Sequence, residues 1–101
     1  MIQATMTETR LTKIAELKIT GHALSAPYGH DIVCASVSTL CSVLSYSFDP
    51  IFRDDGDTFL ITASLAQRGN QRLWAAVKAN LEQLSKQYPE NVKFKHVLIH
   101  G

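Results

Sequence analysis

The sequence contains few cysteine, proline and glycine residues. The shortage of cysteine argues against a disulfide-stabilised protein and against a dithiol oxidoreductase. Among 101 residues there are two Cys, three Pro and five Gly. If Cys34 and Cys41 lie on one helix, they are about 10 Å apart along its axis. A disulfide permits roughly 7 Å between Cα atoms, so we expect no bridge within the chain. No CxxC pair is present, which argues against a dithiol oxidoreductase.

Long apolar runs, a secretory signal and an excess of one charge are also missing. No run approaches the roughly 20 apolar residues that a transmembrane helix needs. The N-terminal MIQATMTETR has no basic start followed by an apolar stretch, so we expect a cytoplasmic protein without a membrane partner. Ten Lys and Arg residues oppose nine Asp and Glu residues, and direct binding of nucleic acid is not expected. The length predicts one domain over residues 1–101.

Five segments have the alternation or the composition of β-strands. They lie around residues 2–6, 15–19, 51–52, 58–65 and 92–99. In the first segment, for example, the apolar residues Ile2, Ala4 and Met6 alternate with polar residues. One face of each such strand is therefore predicted to be buried.

Two segments between these strands have the apolar spacing of helices. Asp31 is a good N-cap for the first helix, and Asn70 is predicted to cap a second helix that stops before Pro89. The apolar positions of the first helix are Val33, Val37, Leu40 and Leu44, and those of the second are Leu73, Val77, Leu81, Leu84 and Tyr88. The order β-β-α-β-β-α-β predicts a single-domain α+β fold, a mixed sheet with two helices packed on it.

Cys34 is the residue with the strongest indication of chemistry. With Asp31 as N-cap it falls at the third position of the first helix, near unpaired backbone N–H groups and the positive end of the helix dipole. This environment favours the thiolate, the nucleophilic form of cysteine. Cys41, two turns further along, lacks this environment and is expected to contribute only packing.

Two histidines are candidates for the base of a Cys–His pair, and spacing does not choose between them. His22 follows the second strand, and a rigid element would position it. His30 precedes the presumed N-cap. His96 and His100, on the last strand, are expected to be ordinary surface or edge residues.

A zinc site is the main rival chemistry. Its ligands would be His22, His30, Cys34 and Cys41, but their spacing matches no common zinc motif. We therefore expect neither a metal nor another cofactor.

The segment GHALSAPYGHDIVCASVS resembles the signature of the ribosomal-processing cysteine protease family (Prp). The specific part of the resemblance is Gly21-His22-Ala23, Gly29, residues 31–34 and Val37-Ser38. In outline the resemblance covers the whole chain. It implies an α/β homodimer that acts as a cytoplasmic endopeptidase and removes the N-terminal extension of a large-subunit ribosomal protein.

The resemblance also implies the roles of individual residues. Cys34 corresponds to the nucleophile and His22 to the general acid/base, whereas Asp31, Ser38, Gly21 and Gly29 match supporting positions. The loop between them would gate the substrate site; its residues are Ala23, Leu24, Ser25, Ala26, Pro27, Tyr28 and His30. This loop departs from the usual pattern at Leu24-Ser25, Pro27 and His30.

Two functions from other classes remain as alternatives to a protease. One is a ribosome-assembly factor that binds the extension without cutting it. The other is a zinc-binding regulator. An ordinary Cys34 thiol would favour the first, and stoichiometric metal in the purified protein would favour the second.

Overall fold

The computed structural model describes residues 2–21, 32–47, 51–54 and 58–100. Within these ranges it describes side chains except those of residues 32–35, 38, 45–47 and 51–54. Seven elements follow one another in the order predicted above. They are β1 (Ile2–Thr9), β2 (Ile14–Thr20), α1 (Ile32–Ser47), β3 (Ile51–Asp54), β4 (Thr58–Ser64), α2 (Arg68–Gln87) and β5 (Val92–Ile99).

The five strands form one mixed sheet in the order β3-β4-β2-β1-β5. Neighbouring strands are antiparallel except β1 and β5, which are parallel. Because β2 and β3 are both antiparallel to β4, they run in the same direction, and α1 connects them. By the same reasoning β4 runs parallel to β5, and α2 connects those two strands. The predicted α+β fold with a mixed sheet is therefore confirmed.

The two crossovers give the sheet two distinct ends. A helix that joins parallel strands starts where the first strand ends and runs back along the sheet. We call the end at which β2 and β3 finish the α1 end, and the end at which β1, β4 and β5 finish the α2 end. The seven residues of β2 separate these ends by about 20 Å.

One face of the sheet carries the core. Its alternating side chains pack with both helices, and α1 also contacts α2. The largest fully buried side chains are Trp74, Ile2, Met6, Leu17, Leu44, Ile61, Leu81 and Val92. The strand alternation predicted from sequence therefore identifies the buried face correctly.

The predicted start of α2 is wrong. Asn70 is not the N-cap, since the helix begins at Arg68 and its N-cap is Gln67, which makes no side-chain capping bond. Instead, the Asn70 side-chain amide donates to the Ser64 carbonyl over 2.9 Å. The Gln71 amide donates to the Leu65 carbonyl over 2.6 Å. These two amides secure the end of β4 from inside the first turn, a role that the capping preference of Asn does not predict.

Candidate active site

At the α1 end of the sheet, Gly21 marks the point at which the chain leaves β2. Gly21 has a φ of 78° and is exposed. This left-handed conformation is open to glycine at little cost but strains residues with a Cβ atom. The backbone at the end of β2 therefore favours glycine at this position, immediately before His22 in the sequence.

Cys34 is the third residue of α1, which begins at Ile32. The predicted position of this cysteine in the helix is therefore confirmed. Because α1 crosses from β2 to the parallel strand β3, its N-terminus lies at the end of the sheet where β2 finishes. The first-turn N–H groups of a helix have no partner within the helix. The fold thus brings the start of α1 to the end of the sheet at which Gly21 lies.

Several predicted site residues lie outside the described part of the chain. They are His22, Ala23, Leu24, Ser25, Ala26, Pro27, Tyr28, Gly29, His30 and Asp31. The side chains of Cys34 and Ser38 are likewise outside it, although their backbone belongs to α1. The assignment of these residues therefore stays a prediction.

The core holds α1 by one stripe of its surface. Val37, Cys41 and Leu44 are 3%, 6% and 0% exposed, whereas Leu40 is partly buried against the same core. The packing role predicted for Cys41 is confirmed. Cys34 precedes this stripe by one turn, so the packed middle of α1 fixes the helix whose first turn carries the candidate nucleophile.

The rival zinc site is tested only in part. Among the described residues, no three or more His, Cys, Asp or Glu side chains are grouped so that they could hold a metal ion. His22, His30 and the Cys34 side chain lie outside the described part of the chain. Cys41, the remaining candidate ligand, is enclosed by the hydrophobic core, which is a poor environment for a metal thiolate.

A charged cluster at the α2 end was not predicted. The Glu8 carboxylate contacts the His96 imidazole through its Oε2 atom. The same oxygen accepts from the Lys78 ammonium group over 3.4 Å. His96 does lie on the edge strand β5, as expected, but it has a specific partner from β1. Sequence spacing carries no signal for this cluster because its three residues come from three elements far apart in the chain.

Comparison with known proteins identifies the family. A sequence model of the family Peptidase_Prp, described as cysteine protease Prp, matches residues 1–93. The chain belongs to the cysteine protease Prp family. The ribosomal processing cysteine protease Prp of Staphylococcus aureus is 27% identical over 105 residues, covering 95% of this chain and 99% of that relative. The predicted cysteine protease activity is confirmed at this level.

Solved structures share the fold over almost the whole chain. The crystal structure of S. aureus Prp, described as an essential ribosomal processing protease in complex with a covalently linked product peptide, has a TM-score of 0.78 at 27% identity. That match covers 95% of this chain and 99% of the S. aureus chain. A Streptococcus mutans protein is 32% identical with a TM-score of 0.72, covering 97% and 95% of the two chains.

In residues 32–47 and 68–87, which form the helices of the described chain, neither segment is long and apolar enough to cross a membrane.

Proposed function

We propose that this protein removes the N-terminal extension of a large-subunit ribosomal protein, with the whole chain, residues 1–101, acting as one protease domain. The observation that carries the proposal is the cysteine at the third position of α1 in a chain that matches the cysteine protease Prp model over residues 1–93. The S. aureus relative is named a ribosomal processing protease, which supports the choice of substrate. The site of this processing is the cytoplasm, and the active form is a homodimer.

Cys34 is the proposed nucleophile. The first-turn N–H groups of α1 and the positive end of its dipole favour a thiolate over a neutral thiol. The covalently linked product peptide in the S. aureus structure supports a mechanism with a covalent intermediate. We therefore expect the Cys34 thiol to have a pKa below that of an ordinary cysteine.

His22 is the proposed general acid/base. It follows Gly21 directly in the sequence, and Gly21 ends β2 at the same end of the sheet as the start of α1. Asp31, as the residue before α1, would cap the helix through its carboxylate. Ser38, one turn after Cys34, would line the same helical face, and Gly29 would let the loop approach the thiol closely.

The proposed reaction is acyl transfer in two steps. The Cys34 sulfur attacks the scissile carbonyl carbon, and the carbonyl electrons move onto the oxygen, where backbone N–H groups at the start of α1 stabilise the negative charge. The C–N bond then breaks as His22 gives its proton to the leaving amine. Water, deprotonated by His22, attacks the thioester, and the C–S bond breaks to release the acid and regenerate the thiolate.

The loop between the two catalytic residues is the proposed gate. It consists of Ala23, Leu24, Ser25, Ala26, Pro27, Tyr28 and His30 around Gly29. Because proline fixes its own φ and restricts the residue before it, Pro27 is expected to make this loop stiffer than that of relatives without it. Ordering of the loop by substrate would then cost less conformational entropy.

Substitution of Cys34 tests the proposal directly. Cys34→Ala should lower kcat/KM for a peptide that spans the extension by roughly 10³-fold or more, because removal of a nucleophile eliminates the covalent route. Cys41→Ala is the matched control, since Cys41 is buried in the core and should affect stability rather than catalysis per folded molecule. Cleavage by Cys34→Ala at the wild-type rate would eliminate the protease assignment of this residue.

The two alternative functions make different predictions about Cys34. A non-catalytic assembly factor that binds the extension predicts ordinary reactivity of Cys34 with iodoacetamide across a pH series. The protease proposal predicts alkylation that persists at lower pH, with Cys41 slow because it is buried. A zinc-binding regulator predicts stoichiometric zinc by elemental analysis of the purified protein and loss of alkylation on zinc binding.

A further inference from the structure

The α2 end of the sheet contains an open cavity that the proposed proteolysis does not use. Its volume is about 340 Å³. It lies between the ends of β1, β4 and β5 and the first half of α2, with Leu65 and Leu98 among its lining residues. In sheets with βαβ crossovers, ligands commonly bind outside the carboxyl ends of the strands, and this cavity occupies such a place in the second crossover.

The charges around the cavity are mostly positive. Arg10, Lys13 and Lys78 line it together with a single acidic residue, Glu8. The Glu8 carboxylate is engaged by Lys78 over 3.4 Å and by His96, so its charge is compensated locally. In the part of the chain that the structure describes, Arg10 and Lys13 form no ion pair, and the first turn of α2 contains no acidic residue. The positive charge is therefore not offset from that side.

The backbone of the Arg10–Lys13 turn is held in place from two directions. The Arg10 N–H donates to the Ile99 carbonyl over 2.8 Å, and the Leu65 N–H donates to the Lys13 carbonyl over 2.7 Å. Lys13 adopts a left-handed φ of 55°, which a residue other than glycine takes up only when its surroundings require it. The two cations thus project from a turn that is fixed to β5 and to the residue that follows β4.

Apolar side chains around the same end are unusually exposed. The exposed fractions are 78% for Leu11, in the turn that carries Arg10 and Lys13, and 47% for Leu98, in the cavity lining. Ile14 and Ile99 are 40% and 43% exposed, but both are paired with Thr9 and lie on the opposite face of the sheet from the cavity. Among the described residues, Val43 on α1 is the only other large apolar side chain that is exposed. Exposed apolar groups next to a cavity, here Leu11 and Leu98, are typical of interaction surfaces.

We infer that the α2 end is a docking site for an acidic peptide segment of a partner protein, one that carries bulky apolar side chains between its carboxylates. The carboxylates pair with Arg10 and Lys13 at the rim, and an apolar side chain enters the cavity beside Leu65 and Leu98. The complementarity of charge and the exposed apolar groups select this occupant. About 20 Å of sheet separates the site from Gly21, so docking and cleavage use different ends of the molecule.

Trp74 provides a direct readout. It lines the cavity and is the only tryptophan in the chain, so energy transfer from it to a dansyl group reports occupancy. The probe is a dansyl-labelled eight-residue peptide that alternates glutamate with leucine, and the matched peptide has glutamine in place of glutamate. We expect saturable transfer with the acidic peptide, weakened by salt and roughly five- to tenfold weaker with the glutamine peptide. Equal binding of both peptides, or no response of Trp74, would overturn the inference.

A pair of double variants separates the site from general charge effects. Arg10→Gln with Lys13→Asn removes both rim cations, and asparagine tolerates the left-handed conformation at position 13. Affinity for the acidic peptide should fall roughly five- to tenfold. Lys18→Gln with Lys95→Gln removes the same charge from exposed positions on the other face of the sheet and should leave affinity unchanged. An equal loss of affinity in both double variants would show that binding depends only on net charge, and it would overturn the proposed site.

Blocking the cavity tests its apolar part. Ala75→Leu places a larger side chain in the lining at almost no cost in helix propensity. Binding of the acidic peptide should weaken by roughly threefold to tenfold, since the entering side chain loses its space. Unchanged affinity would show that the cavity is not occupied and would overturn this part of the inference.

Two further measurements distinguish the peptide from other occupants. Sedimentation of the Arg10→Gln/Lys13→Asn variant should match wild type; a shift in the monomer–dimer equilibrium would assign this end to a second copy and overturn the inference. Cleavage of a peptide that spans the extension should also match wild type. A loss of cleavage would assign the two cations to the protease site and overturn the inference. If instead the protease proposal itself failed, binding of the acidic peptide beside Trp74 would be unchanged.

Discussion

The two βαβ crossovers share one sheet, yet their helices are built from opposite kinds of sequence. The 16 residues of α1 include no Asp, Glu, Lys, Arg or His, and many are Ser, Thr or Val, which have low helix propensity. The 20 residues of α2 carry charged side chains opposite the buried Trp74, Val77 and Leu81. α2 therefore has amphipathicity and good helix formers in its favour, whereas α1 depends on packing.

The two ends of the sheet differ in the same way, in the charged and polar side chains that their helices provide. The residues of α1 itself bring no charged side chain to the start of this helix, where the first-turn N–H groups and the positive end of the dipole lie. The α2 end has amide side chains and ion pairs that tie the helix to the strands. The helix of low propensity, α1, gains its rigidity from the core, while the charged helix α2 is stabilised at its surface as well.

The largest effect after loss of the nucleophile is expected at the α1 end, from His22. His22→Ala should lower kcat by roughly 10² to 10⁴-fold, the contribution typical of a general acid/base. His30→Ala is the matched control and should have a small effect. Both are measured as kcat across a pH series on the peptide that spans the extension. A larger loss from His30→Ala than from His22→Ala would reverse the assignment.

The dependence of α1 on packing can be compared with that of α2 by one pair of core variants. Leu44 on α1 and Leu81 on α2 are both 0% exposed, so Leu44→Ala and Leu81→Ala should each lower the free energy of unfolding by about 2 to 5 kcal/mol. Urea denaturation measures this loss. Under conditions where both variants are folded, Leu44→Ala should reduce kcat more, because it loosens the helix that carries Cys34.

The control for this comparison is Leu11→Ala. Leu11 is 78% exposed, and its truncation should change the free energy of unfolding by no more than about 0.5 kcal/mol. Equal activity of the two core variants would mean that α1 is held by more than the stripe of Val37, Cys41 and Leu44.

The ion pairs of α2 should differ in strength according to their burial. Glu8→Gln removes the carboxylate that Lys78 and His96 share, and should lower the free energy of unfolding by about 1 to 2 kcal/mol. Glu82→Gln breaks the pair with Lys86, whose side chains are 53% and 69% exposed, and should cost about 0.5 kcal/mol or less. Thermal or urea unfolding at low and high salt checks both. Equal losses would contradict the cluster as a link between α2, β1 and β5.

The smallest effects should come from one substitution made at both ends, with opposite signs. Gly21→Ala forces a Cβ atom onto a φ of 78° and should destabilise the fold by about 1 kcal/mol. Gly69→Ala adds a methyl group in the first turn of α2, where no atom apart from its chain neighbours and the backbone of its own helix lies within 4 Å, and should stabilise by up to about 1 kcal/mol. Urea midpoints compare the two; a stabilising Gly21→Ala would show that the left-handed turn is not required.

Much of the fold was predictable because its signals are local. The alternation in β1, β2 and β4 identifies the buried face, and β5 has the predicted bounds, Val92–Ile99. Cys34 falls at the predicted helical position because Asp31 is a strong N-cap signal close to it in sequence. Asn70 shows the limit of the same reasoning. Its side-chain amide donates to the Ser64 carbonyl outside the helix, and Asn70 therefore does not serve as the N-cap that its residue type predicts.

The sequence by itself determined the order of the elements, their buried faces and the segment that resembles the Prp family, since each depends on residues within a few positions of one another. The tertiary structure alone decided that β2 and β3 are parallel, that the start of α1 therefore returns to Gly21, and that Glu8 meets Lys78 and His96. These features depend on strand pairing and on residues 70 and 88 positions apart. No local periodicity encodes such contacts, because chain reversal and sheet order determine them.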